Sequence, residues 1–430
     1  MTALLRLTNR LQALQWYALH RWLIEAALIV SPRSAALLRE LVAIASKRDD
    51  TKLAAEACRR LLAICPDDDH ALEQLATFDL IEGNIAAARE ALARHPHTQA
   101  LGLRLLTDSY IDVDRARSQG VYVACLKNVD VETTYWSILD DTRVYNLEVH
   151  NRGLRKSPFV QGRAAPDNSA FLYKVPRVSK IIESPCVHLG GDHNYCHWIT
   201  RNMLKLALLE GTPHVNLPLL INEDLRPHQR AYLELLGIAD ERLIKLPPGA
   251  LVSCRELIVP TNVVNHLKMG VGTQWLRRKV MACMETGPAT DLLFVSRRDA
   301  KVRRVINESE VEAKLLALGF SSVVPGEMSV PDQIRRFSRA RVVVGAHGAA
   351  FGNLVFCAPG THVIEMNSTY KSHIPDFTFL ARIGELKLTT VLSDEYDFTR
   401  AEPYYPDTDF RADVVKVIGA VRQAAPELFA

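Results

Sequence analysis

The sequence predicts an α/β protein in which two α/β domains follow an all-α domain of helical repeats. Three observations predict this. The 430 residues are too many for one ordinary hydrophobic core, so two or three domains are expected. A 34-residue offset relates the stretches that begin at Pro32 and Pro66. Beyond residue 290, short β-branched runs alternate with helical stretches, the pattern of a parallel sheet.

The helical domain is read over residues 1–115. Leu38 matches Leu72, Leu41 matches Leu75, and Ala54, Glu56 and Ala57 match Ala88, Glu90 and Ala91. A period of 34 residues with Gly83 at a turn and a closing Pro96 resembles tetratricopeptide repeats, paired helices that stack and bind a protein partner. Residues 98–110 are expected to complete the helical stack. Over residues 3–30, leucines, Trp22 and isoleucines recur at helical spacing with Arg6, Arg10 and Arg21 between them. A helix packed on the next repeat is expected there; a basic helix on a membrane surface is the alternative.

The second domain is read over 116–285. Apolar runs at 121–125, 171–175, 217–221 and 257–259 are expected strands, and 198–209 and 226–236 expected helices. The third domain, 286–430, carries the clearest alternation. Strands are expected at 292–296, 321–324, 341–344 and 362–365, with helices at 308–318 and 331–339 between them. Asn307 followed by Glu310 has the spacing of a capping box for the first of these helices.

Composition excludes several classes of function. The 52 basic residues against 49 acidic leave a net charge of +3, so nucleic-acid binding is not expected. Eight dispersed cysteines lack any C-x-x-C pair, which points to reduced thiols in a cytoplasmic protein rather than to a zinc site or a disulfide framework. The arginines near the N-terminus break up any signal-peptide core, and no window has the roughly 18 uncharged residues of a membrane span. A cytoplasmic location is expected, with peripheral contact at the inner membrane as the variant.

Four places in the chain carry candidate chemistry. Gly345, Ala346, His347 and Gly348 leave a strand through small residues toward an expected helix, where free amides and the helix dipole favour a phosphate; His347 and Asn353 would add side-chain donors. Packing alone is the competing explanation for such a turn. Ser296, Arg297 and Arg298 follow another strand on the same sheet edge, where two guanidiniums can clamp a diphosphate, or else form a solvated loop with Lys301, Arg303 and Arg304. Glu365 closes the strand after the glycine-rich turn and can accept from ribose hydroxyls, unless it is an exposed strand end. The G-x-G-x-x-G fingerprint is absent, which argues against a nicotinamide enzyme such as a nucleotide-sugar epimerase or dehydrogenase. Earlier in the chain, Asp192, His193 and His197 are candidate general bases at a helix start. A metal site there is disfavoured, because Asn194 stands where an H-E-x-x-H motif has glutamate.

Four blocks together resemble glycosyltransferase family 61: residues 194–198 (NYCHW), 293–298 (LFVSRR), 343–349 (VVGAHGA) with Asn353, and 359–365 (PGTHVIE). The family includes capsular-polysaccharide-type proteins and eukaryotic xylosyl- and N-acetylglucosaminyltransferases, and the resemblance runs through about residues 185 to 395. It implies a GT-B architecture of two Rossmann-like domains, with 116–285 on the acceptor side and 286–430 binding the nucleotide sugar. It further implies an inverting hexosyl- or pentosyltransferase with no essential metal or cofactor. A UDP-sugar is the expected donor and a glycan or lipid-linked glycan the expected acceptor, in surface polysaccharide synthesis. The Asp-x-Asp matches at 112–114 and 407–409 fall outside the α/β cores, unlike those of metal-dependent transferases. Cys196 and Leu388 depart from the family's aromatic residues at those places. The competing reading is a non-catalytic scaffold that senses a nucleotide sugar and recruits polysaccharide-assembly partners through its repeats.

Overall fold

The computed structural model describes residues 17–48, 50–94, 103–110, 122–146, 160–166, 170–175, 177–260, 266–285, 287–369, 376–397 and 409–430. The chain is mixed α/β, with an N-terminal helical region and parallel-rich sheets. It divides into two compact units: 1–113 with 127–184 and 247–256, and 114–126 with 185–246 and 257–430.

In the first unit five helices pack together, Tyr17–Val30, Ala35–Lys47, Thr51–Leu62, Asp69–Ile81 and Ile85–Arg94. The helix starts at 35 and 51 recur at 69 and 85, at the sequence offset. Their caps are local: Ser34, Asp50 and Asp68 accept from the amides of Leu37, Leu53 and Ala71. Leu38, Leu72, Ala54 and Ala88 are almost fully buried, the alanines letting neighbouring helices approach closely. On the first helix Ile24 and Leu28 join this core, while Trp22, Ile29 and Val30 are exposed. Among the described residues no helix is long and apolar enough to cross a membrane.

Residues 103–110 correct the helical expectation for 98–110. Leu103–Tyr110 is a strand, antiparallel to Ala170–Lys174 and parallel to Arg143–Asn146. Leu105 joins the helical core and Leu106 a second cluster with Phe171 and Tyr173. With both faces covered, the strand loses the alternation that separates strand from helix in a sequence. Pro96 lies outside the described residues.

The second unit holds two parallel sheets. Leu243–Leu246, Leu219–Asn222, Cys186–His188 and residues 257–260 pair in that order. The other sheet runs Ser321–Val323, Asp291–Val295, Ala340–Ala346, His362–Ser368, Lys387–Ser393, every pair parallel. Alternate residues serve opposite faces. Leu293, Val343 and Val363 join a core with Trp198, Tyr232 and Phe351, whereas Phe294, Val344 and Ile364 meet Val311 and Val417 on the other side.

Three local expectations change. The expected helix at 198–209 is interrupted: one α turn, Tyr195–His197, passes into a π turn, Trp198–Met203, before Leu204–Ala207 resumes. The helix expected after Gly348 is a 3-10 helix, Ala349–Phe356. Asn307 makes no cap to its helix. Its side chain instead bonds both backbone groups of Ala412, at 2.8 and 3.0 Å, tying two loops that are distant in sequence.

The glycines of the turn answer to packing. A Cβ on Gly345 would stand 2.8 Å from Phe351 Cε1 and 3.0 Å from Val295 Cβ, and one on Gly352 would stand 3.1 Å from Cys196 Cα. Gly345→Ala is therefore expected to lose about 1–3 kcal/mol of stability by overpacking, read as a lower urea midpoint at unchanged m-value. An unchanged midpoint would return Gly345 to the role of leaving room for a ligand.

Candidate active site

The Cys186–His188 strand ends in Leu189, and Gly190, at φ +91°, turns the chain in a conformation that suits only glycine. Asp192 follows. Its Oδ1 accepts from the Asn194 amide at 2.9 Å, and Asn194 caps the next helix by accepting from the His197 amide at 3.1 Å. The same cap presents His197 to Asp192, with Nδ1 3.0 Å from Oδ2 and Arg201 Nη1 3.9 Å from that oxygen. Both side chains are about one-third exposed. Burial pushes the Asp192 carboxyl up, but the bond and charge of His197, the Asn194 amide and the Arg201 charge outweigh it and hold the carboxyl below its ordinary value. An ionised carboxylate on Nδ1 fixes the proton there and leaves the Nε2 lone pair open. Among the described residues Nε2 has no hydrogen-bond partner. His193 takes no part in this pair; its Nε2 lies 2.7 Å from Asn222 Nδ2 and 3.1 Å from Asp224 Oδ1.

Ser296 is buried at the end of its strand, and its Oγ accepts from the Arg298 amide at 3.2 Å. The Arg297 amide donates to Glu308 at 2.5 Å, which anchors this loop to the helix start at 308. Burial raises the pKa of Glu308, opposed by this bond and one from Ser296. The Arg297 guanidinium donates to the carbonyls of Arg303 and Val302 at 3.3 and 3.1 Å. It passes so close to Gly348 that a Cβ there would fall 1.7 Å from Nη1. Glycine at 348 thus makes room for the arginine. Arg298 is held loosely, 55% exposed, with Glu312 and Glu327 at 3.9 and 3.8 Å.

His347 and Glu365 are buried together, Nδ1 to Oε1 at 2.6 Å, and the other carboxylate oxygen accepts from Thr390 Oγ1 at 3.0 Å. Phe377 covers the imidazole, ring centroids 4.8 Å apart. Glu365 is therefore no exposed strand end, and both its oxygens are engaged. Asn353 is fully buried: Oδ1 accepts from Tyr195 at 2.7 Å and Nδ2 donates to Gln333 and the Ala350 carbonyl at 2.9 and 3.1 Å. Its donors are spent inside the fold.

Sequence reasoning missed the cavity that the Ser296–Arg297 loop borders. Its volume is about 610 Å³, and its walls include Tyr195, His228, Ser296, Arg297, Gln333 and Ala349. Among the described residues the buried Nε2 of His228 has no hydrogen-bond partner, and its ring leans on Tyr195 with centroids 5.3 Å apart. Burial first, then the charges of His193 and Arg226, push its pKa to about 4, so the imidazole is neutral at pH 7. Nothing in the spacing around His228 could have marked it, because its place depends on residues some 70 to 120 positions further on. Lys205, buried with its Nζ on the Leu189 carbonyl, was missed as well. Of the expected site residues, Asp192 with His197, His347 with Glu365, and Arg297 with Gly348 are brought together in pairs; His193 and Asn353 are drawn into other contacts.

A comparison with curated proteins finds no match for the chain. Residues 195–364 match the family model described as Glycosyltransferase 61. The matched interval begins two residues before His197 and takes in Ser296, Arg297, Arg298, Gly345, His347, Gly348 and Asn353, leaving Asp192 and His193 just before it and Glu365 just after. Residues 195–364 are thus a glycosyltransferase family 61 domain, which implies sugar transfer.

Proposed function

We propose that the protein is an inverting, metal-independent glycosyltransferase that moves a sugar from a nucleotide-sugar donor, a UDP-sugar as the expected class, to a glycan or lipid-linked glycan acceptor of surface polysaccharide synthesis. The observation that carries the reading is the Asp192–His197 pair with its open Nε2. In this reaction Nε2 takes the proton of an acceptor hydroxyl, the hydroxyl oxygen bonds to the anomeric carbon from the face opposite the donor, and the bond to the diphosphate breaks. Aspartate keeps the imidazole in the right tautomer and steadies the cation that forms. The departing diphosphate gathers negative charge, which Arg297, Arg298, His347 and the amides near Gly348 offset, work that a divalent metal does in other transferases.

A GT-B arrangement fits this division of labour, with residues 116–285 on the acceptor side and 286–430 holding the donor. The basic loop at Ser296–Arg297 borders a cavity whose other walls combine Tyr195 and apolar Pro227, Met328 and Val330 with polar His228, Ser329 and Gln333, a mixture suited to a nucleoside diphosphate, with Asp299 on the same rim. Tetratricopeptide-like recruitment of a protein partner is the proposed role of the N-terminal helices, and peripheral contact with an inner membrane suits a lipid-linked acceptor.

The test is a thermal-shift panel of UDP-, GDP-, CMP- and dTDP-sugars with and without EDTA. A ligand at 100 times its Kd adds about 2.7 kcal/mol of stability. One nucleotide class is expected to raise Tm, unaffected by EDTA. A response that EDTA abolishes would overturn metal independence, and silence across the panel with no donor turnover would leave the scaffold reading in its place.

A further inference from the structure

Lys205 lies in the short α segment that follows the π turn, with its side chain only 5% exposed. Its Nζ donates to the Leu189 carbonyl at 2.9 Å. That carbonyl already accepts from Asn202 Nδ2 at 2.8 Å, so the lysine is not needed to satisfy it. Among the described residues no carboxylate comes within salt-bridge distance of Nζ. Burial drives the ammonium down to about 8, while the charge of Asp192 pulls it back up. At neutral pH the group is a buried cation with a neutral partner, the most unfavourable setting for a charge. Methionine would fill the same space without that penalty. A charge kept at such a cost points to work outside packing.

That work is within reach. Leu189, which Nζ holds, begins the loop that ends at Asp192, and the two glycines between them have no side chains with which to fix it. Arg201 supplies a second cation, 3.9 Å from Asp192 Oδ2. We propose that Lys205 is a positioning residue for the Asp192–His197 pair: its buried ammonium pins the 189–192 loop and favours the ionised carboxylate that orients His197. This rests on the reading of His197 as the base.

Lys205→Met in the full-length protein is expected to keep or raise Tm, to leave the donor KM within about threefold, and to lower kcat by about tenfold or more. In a His197→Ala background the same change should have no further effect on kcat, because both act through one group. Lys205→Gln, which keeps a donor for Leu189 and removes the charge, should lose kcat to a similar extent. Wild-type kcat in either variant, a lower Tm with kcat per folded molecule intact, or additive losses in the double variant would each overturn the proposal. Near-normal turnover in His197→Ala alone would instead overturn the assignment of the base.

Discussion

Replacing His197 by alanine is expected to lower kcat by about 10²- to 10⁴-fold, the usual worth of a positioned general base, with little change in donor KM or Tm. The small effect on stability follows from exposure: the side chain is about one-third exposed and spans no core. Its backbone amide, which Asn194 caps, survives the change. Asp192→Asn should fall in the same range, since an amide at that place can offer the imidazole a donor and reverse the tautomer. Toward acid the Asp192 carboxylate keeps its charge, because its folded-state pKa lies below the ordinary 3.8. A depressed carboxylate contributes its stability above the unfolded-state pKa and loses it only as pH falls through the folded one, so the pair stays charged on one side until below that value. A steady-state pH profile with a donor held saturating would check this; a His197→Ala variant retaining more than about a tenth of wild-type kcat would remove the base assignment.

How much of this was legible in the sequence follows from the range of the interactions involved. The 34-residue spacing could be read because helix starts are capped locally: Ser34, Asp50 and Asp68 each bond an amide three residues on. The parallel sheet could be read because strands buried on both faces, such as the Val342–Val344 run, need apolar residues at every position. Asp192 and His197 meet through one turn of helix, so their pairing lay within sequence reach. The fate of the other polar residues was not legible. Asn353 bonds Tyr195 across 158 positions, and Asn307 spends its amide on Ala412 across 105. Such a partner is chosen by tertiary packing, and a sequence shows only the capacity to bond. The same limit hid the cavity, four of whose wall residues come from 195–231 and thirteen from 296–350.

The two arginines of the basic loop, alike in sequence, should separate in function. Arg297 already bonds two loop carbonyls and lies across Gly348, so its loss would disturb the turn as well as any phosphate contact. Among the described residues the side chain of Arg298 pairs only with two carboxylates, at 3.8–3.9 Å, and it is more than half exposed. Ion pairs of that kind contribute about 0–1 kcal/mol to stability. Its guanidinium is therefore free to turn toward a diphosphate and meet it with two parallel bonds. Arg298→Ala is expected to lower kcat/KM by about 10²- to 10³-fold, the cost of losing one charge-stabilising contact in the transition state, while Tm stays within experimental error of wild type. Arg298→Lys should recover only part of the loss, because an ammonium keeps the charge but not the fork. Arg297→Ala should lower Tm as well as rate. If Arg298→Ala kept more than about a tenth of kcat/KM and Arg297→Ala lost rate without losing stability, the diphosphate would belong to Arg297, and the carbonyl contacts seen here would be a resting arrangement that the donor displaces.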